Sequence, residues 1–262
     1  MTTDSPPRRR RPILRILLVV AIVLLALGLW AAVSWALRST ESDTVSVDES
    51  YDRLEIDVSA GDIVIEAGSS DETTLEWRTE AGLFRDADVS HRVDGDRLVI
   101  DTGCEGGLLS LPLSFCRADV TLTVPADVDV VAESSAGQVR ASGLEGSADL
   151  ESSAGQVRVD DHSGRLRAHS SAGAVIVDGL ASDDAEVSSS AGRVEVTATE
   201  PPENLRAESS AGQVIVTLPD ETYDLDADSS AGDVTIDVPT DPDSRFHVEA
   251  SSSAGNVTVT SG

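Results

Sequence analysis

The chain has 262 residues, a formal net charge of −28, 40 % hydrophobic residues and only 3 % aromatics. So large an acidic excess excludes nucleic acid and anionic lipid head groups as ligands of the folded part, because both are polyanions. There is no lysine, and all 19 basic residues are arginine, a usage that fits a GC-rich genome or a salt-adapted host.

Residues 1–12 form a short basic tail that carries Arg8, Arg9, Arg10 and Arg11. Residues 13–38 are predicted as a transmembrane helix. Ile16–Leu37 alone would rise about 33 Å as a helix, enough to span a bilayer. Trp30 and Trp35 lie toward its far end, where interfacial aromatics collect. Five arginines precede the span and only Arg38 follows it. The positive-inside tendency then puts the N-terminus in the cytoplasm and the rest outside a plasma membrane crossed once. A cleaved signal peptide is the competing reading, with Ser34-Trp35-Ala36 as a loose cleavage site. The apolar stretch is longer than a signal h-region of about 7–15 residues. No cysteine follows the span, so a lipoprotein anchor is not expected. Residues 39–44 read as a linker.

Residues 45–128 read as an N-terminal β region that forms the first coils and a cap. Alternating runs occur at Val45–Val47, Leu54–Ile65, Thr73–Thr79, Val89–Val93, Leu98–Ile100 and Val120–Val124. Asp94-Gly95-Asp96 is a good hairpin turn between two of them. Cys104 and Cys116 are the only cysteines and are expected to form a disulfide, since this topology places them in an oxidising space. A metal site is the rival reading, but two isolated thiols without clustered His make a poor one.

Residues 129–262 repeat the phrase Ser-Ser-Ala-Gly-x-Val-x-Val. Its glycines are Gly137, Gly155, Gly173, Gly192, Gly212, Gly232 and Gly255, with a diverged copy at Gly61, and the later ones stand 18–23 residues apart. Apolar residues stand seven and five before each glycine and two and four after it. That is period-2 alternation on both sides of a tight Ala-Gly corner, so each unit reads as strand, corner, strand. The corner needs glycine for φ > 0 or for close backbone approach. Three before the glycine stands an inward Ser in seven copies, from Ser134 to Ser252, and Val58 in the diverged copy. Stacked units would align these hydroxyls in a column.

Identical residues recur in one phase, as coil-on-coil stacking requires, and the corner lacks the Asn-Gly or Asp-Gly signature of hairpins. The expected fold is therefore all-β, a parallel β-solenoid (β-helix-like) behind one transmembrane helix; an antiparallel meander of hairpins is the alternative. The chain stops soon after Val259, so Val248–Thr260 is expected to be an open edge that a partner or a second copy could extend.

Beyond residue 38 there are 13 arginines against 46 acids, a net charge of −33. Such a surface could attract divalent cations, cationic peptides or basic protein patches, and it also simply keeps an exposed stack soluble. The best calcium candidate is Asp224, Asp226 and Asp228 on one strand face, with Asp233 past the corner, since carboxylate oxygens suit Ca²⁺. The set departs from an EF-hand: Ser229 replaces its glycine and Thr235 its final glutamate. Seven equivalent Ser-Ser pairs with a single adjoining His169 look structural, not nucleophilic. The outward column Glu133, Glu151, His169, Ser188, Glu208, Asp228 and Ser251 holds no distinguished acid/base pair, which argues against a glycan-cleaving β-helix enzyme. No enzymatic activity and no cofactor are expected. Asn256-Val257-Thr258 is a glycosylation sequon only in a host with that machinery.

Glu151–Val159, Glu208–Val216, Asp228–Ile236, Leu54–Ile65 and the Val120–Pro125 run resemble the β-strand-repeat adhesin domain of bacterial and archaeal envelope proteins, a domain of unknown function. The resemblance covers about residues 45–260 and rests on repeat grammar. It implies a β-solenoid outer domain with no assigned site residues. Some relatives belong to envelope-stress systems, which implies an alternative role in sensing or regulation. The leading expectation is an adhesin-like binding module. Its partners would be the membrane through the helix, an envelope protein, glycan or cationic peptide, and a second copy through the C-terminal edge.

Overall fold

A computed structural model describes residues 11–36, 39–47, 49–69, 72–81, 85–106 and 116–262. Helix α1 runs over Arg11–Ala36, and its apolar side chains, Leu17, Leu24, Leu25 and Leu29 among them, are exposed. Among the described side chains, which in α1 lie between Ile16 and Leu29, no helix is long and apolar enough to cross a membrane.

The N-terminal region contains β1 (Ser39–Val47), β2 (Arg53–Val58), β3 (Ile63–Ala67), β4 (Thr73–Ala81), β5 (Arg85–Asp94), β6 (Arg97–Gly106) and β7 (Cys116–Val124). The expected linker at 39–44 thus lies wholly within β1, held by antiparallel pairing with β4. The hairpin at Asp94-Gly95-Asp96 joins antiparallel β5 and β6, and Gly95 supplies the positive φ that the turn needs.

The repeats then alternate between two sheets. Strands β8 (Asp129–Ser134), β10 (Ala148–Ser152), β12 (Leu166–Ser170), β14 (Asp184–Ser189), β16 (Asn204–Ser209), β18 (Asp224–Ser229) and β20 (His247–Ser252) enter the ten-stranded sheet. Strands β9 (Val139–Ser142), β11 (Val157–His162), β13 (Val175–Leu180), β15 (Val194–Ala198), β17 (Val214–Leu218), β19 (Val234–Asp237) and β21 (Val257–Ser261) enter the eleven-stranded sheet. Like residues pair in parallel from coil to coil: Leu150 lies between Ala132 and Ala168, and Val157 between Val139 and Val175. The fold is a parallel β-solenoid with one thin core between its two sheets. Val, Leu, Ile and Ala fill that core, from Leu54 and Ile65 to Val248 and Val259. The meander is excluded, because antiparallel pairing is confined to the N-terminal cap.

Order along the stack departs from order along the chain at both ends. Coil β6–β7 lies outside coil β2–β3. At the far end, β20 pairs with both β16 and β18, and β21 with both β17 and β19. The C-terminal coil is therefore slotted between its two predecessors. This corrects the expectation that Val248–Thr260 is an open edge: both of its strands are paired on both sides. The long connector 238–246 makes this possible, because it carries the chain back past a coil already laid down. The open coil is β18–β19.

Candidate functional site

Coil stacking begins at the corner. The N–H of Gly137 donates to Ala154 O (3.3 Å) and that of Val139 to Gln156 O (2.9 Å), and the same offset recurs along the stack. The glycine carbonyl between those two acceptors receives no backbone N–H among the described turn and loop bonds. It accepts the inward serine of the next coil instead. Ser152 donates to Gly137 O (2.9 Å), Ser170 to Gly155 O (2.7 Å), Ser189 to Gly173 O (2.8 Å) and Ser209 to Gly192 O (2.9 Å). At the transposed end Ser252 donates to Gly212 O and Ser229 to Gly255 O. The hydroxyls bond to backbone, so each serine is a staple between coils and is not poised as a nucleophile. Val58 is the exception, and the coil beside it carries Ala118, not glycine, at the aligned position.

The glycines are explained by close approach. A Cβ on Gly155 would overlap the carbonyl of Gly137, one on Gly192 that of Gly173, and one on Gly232 that of Gly255. Cys104 and Cys116 form the expected disulfide. It ties β6 to β7, hence one sheet to the other, across residues 107–115.

Stacking also turns each outward position into a ladder. Asp57, Glu133, Glu151, His169, Ser188 and Glu208 follow one another in register. Burial, then repulsion from Glu151 and Asp57, pushes the Glu133 carboxyl above its ordinary range. Asp149 is raised mainly by burial. His169 Nδ1 lies 2.9 Å from Ser188 Oγ, on the next coil; the adjoining Ser170 is wholly buried. Elsewhere the ladder alternates in sign: Arg167 meets Glu186 (2.8 Å), Arg165 meets Asp184 (2.7 Å) and Arg206 meets Glu249 (2.6 Å), each one coil away. Two shallow hollows lie on this face. Arg53, Asp129, Asp149, Arg165 and Arg167 surround one of about 380 Å³, and His169, Ser188, Glu208 and Ser251 border another of about 280 Å³.

The calcium candidate is not assembled. Asp224 is engaged by His247 Nδ1 at 2.9 Å, and Asp233 lies beyond the corner, its N–H bonded to Asn256 Oδ1. Among the described residues no three carboxylate, His or Cys groups converge on a point that could hold a metal. Successive outward residues of one strand are too far apart for that, because the strand rises about 3.3 Å per residue.

One buried polar group escaped sequence reading. His162 is only 2 % exposed, and its Nδ1 has no partner. Strict alternation would point residue 161 inward. Asp161 instead adopts φ of 53° and is skipped in the pairing of β11 with β13, which turns His162 and Leu180 into the core. Opposite it Gly179 takes φ of 78°, and a Cβ there would meet the Asp161 carboxylate. Burial pushes the His162 imidazole below its ordinary value.

The coil-on-coil register from residue 53 to residue 261 coincides with a known sequence family. Residues 51–261 match the family described as Toastrack DUF4097. The chain belongs to that family. Solved structures similar to it include a candidate cell adhesion protein from Clostridium sporogenes ATCC 15579, at 12 % identity over 86 % of this chain and 100 % of that one, with a TM-score of 0.39. A candidate adhesin from Bacteroides fragilis NCTC 9343 has 13 % identity over 86 % of this chain and 98 % of its own, with a TM-score of 0.43. One from Parabacteroides distasonis ATCC 8503 has 13 % identity over 86 % and 97 %, with a TM-score of 0.43. No curated protein matches the chain.

Proposed function

We propose that the chain is an adhesin-type binding module, held in a membrane by α1 and displaying its solenoid outside the cell. The observation that carries this reading is the outward ladder. Stacking repeats the same polar positions along one rigid face, and such a face suits a repetitive or extended ligand. Its chemistry is that of an envelope glycan, an envelope protein or a cationic peptide, and no catalytic step is assigned to it. The anchor is supported by the 26-residue helical backbone of α1 and by its exposed leucines, which need an apolar cover. The disulfide supports an oxidising location.

The test is expression of the full chain in cells, with external protease added to intact cells and the membranes then washed at alkaline pH. A helix fragment retained in washed membranes and a solenoid cleaved from outside are expected. Adhesion of these cells to purified envelope material is then compared with that of cells lacking residues 39–262. A chain released by the wash refutes the anchor, and equal adhesion of the two strains refutes the adhesin role.

A further inference from the structure

The two ends of the solenoid are built differently. The N-terminal end finishes in the antiparallel strands β1, β4 and β5 and is tied by the disulfide. The far end stops at β18 and β19, each paired on one side only. Core positions there are uncovered: Val234 is 39 % exposed and Ile236 46 %, whereas their neighbours Val257 and Val259 are fully buried. Tyr223 and Phe246 pack at 6.0 Å between centroids beside this coil and leave the β19 edge open. The outward positions of β18 in the same coil, Asp224, Asp226 and Asp228, are all acidic. Asp226 lies in register with Glu249, and among the described residues Asp226, Asp228, Asp233 and Asp237 form no ion pair.

The interior of the stack shows what this edge lacks. One coil further in, Glu249 is met by Arg206 of the adjacent strand at 2.6 Å. A strand laid against β18 with a basic residue at that position would meet Asp226 in the same way. A second copy of this chain does not fit. Two such ends would bring aspartates against aspartates on chains of net charge −28, and like charges opposed across strands are destabilising.

We infer that β18–β19 is a docking edge for an extended cationic segment in which Arg or Lys alternates with small aliphatic residues. The segment adds a strand to β18 by backbone hydrogen bonds; its basic side chains pair with Asp226 and Asp228 on the outer face, and its inward aliphatic side chains lie across the thin core from the β19 edge, over Val234 and Ile236. This deepens the binding-module reading and rests on it.

The experiment uses the full chain in neutral detergent micelles, with empty micelles as blank. The probe is a labelled peptide, Arg-Val-Arg-Thr-Arg-Val, read by fluorescence anisotropy. A second peptide of the same composition in blocked order, Arg-Arg-Arg-Val-Thr-Val, is the control. The alternating peptide should bind at least about tenfold more tightly than the blocked one. Ile236→Lys should abolish that preference, and so should the pair Asp226→Asn with Asp228→Asn. Asp149→Asn, far along the stack, should leave it intact. All these positions are outward or at the open edge, and circular dichroism checks that each variant folds. Equal binding of the two peptides, no binding, or an equal loss in Asp149→Asn would overturn the proposal in favour of diffuse charge attraction or of none. A concentration-dependent dimer in sedimentation that Ile236→Lys dissolves would also overturn it, in favour of a second copy. If the peptide fails to bind while displayed chains still confer adhesion, the docking edge alone is wrong; if the peptide binds and adhesion is absent, the adhesin reading alone is wrong.

Discussion

Replacing Ser170 by alanine tests the stapled corner. Its hydroxyl is fully buried and donates to Gly155 O at 2.7 Å. Gly155 O receives no backbone N–H among the described turn and loop bonds. Removing the donor therefore leaves the carbonyl of half-buried Gly155 without its partner inside the stack, which costs about 1–3 kcal/mol. For a chain of this size each kcal/mol lowers Tm by about 2–4 °C. Ser171, the next residue, is exposed, and its replacement by alanine should stay within about 0.5 kcal/mol of wild type. The assay is thermal unfolding of the full chain and both variants, followed by circular dichroism at a strand wavelength. If the two variants melt together, within about 1 °C by the same scaling, the hydroxyl is only a space-filler, as Val58 is in β2, and the staple is refuted.

Gly192→Ala should be far more damaging, because its Cβ would overlap the backbone carbonyl of Gly173. We expect a loss above about 3 kcal/mol or an insoluble chain; a soluble variant with an unchanged melting curve would contradict the close approach. Reduction of Cys104–Cys116 should remove about 3 kcal/mol of stability, seen as a lower melting temperature in dithiothreitol that a Cys104→Ser variant reproduces without the reductant. His162 predicts a pH dependence. Its folded pKa lies below the unfolded value of about 6.5, so its contribution is fully present above that value. It is lost as pH falls toward the folded pKa, because the unfolded chain takes up the proton first. Urea unfolding should thus show stability falling as pH drops below about 6.5, with a shallower slope in His162→Leu; identical slopes would mean that other groups carry the titration.

The repeat phrase alone determined the coil. Alternation fixed which residues face inward, the glycine fixed the corner, and equal phase fixed parallel stacking, because each is a local or nearest-neighbour property. The disulfide was also legible, since two cysteines leave a single possible pairing. Other features depended on contacts between distant segments. The C-terminal coil has the same inward pattern as its neighbours, so nothing in its own residues says that it sits between Ser209 and Ser229. Only the longer spacing before Gly255 hinted at the crossing. The four aspartates share a stretch of sequence but not a point in space, because a strand spreads its side chains apart. His162 turns inward because one left-handed residue shifts the phase of its strand, a backbone event that side-chain periodicity does not register. The sequence thus determined the unit of the solenoid, and the tertiary structure decided the order in which the units stack. Order fixes which edge is left unpaired, and a sequence of near-identical coils cannot rank one edge above another.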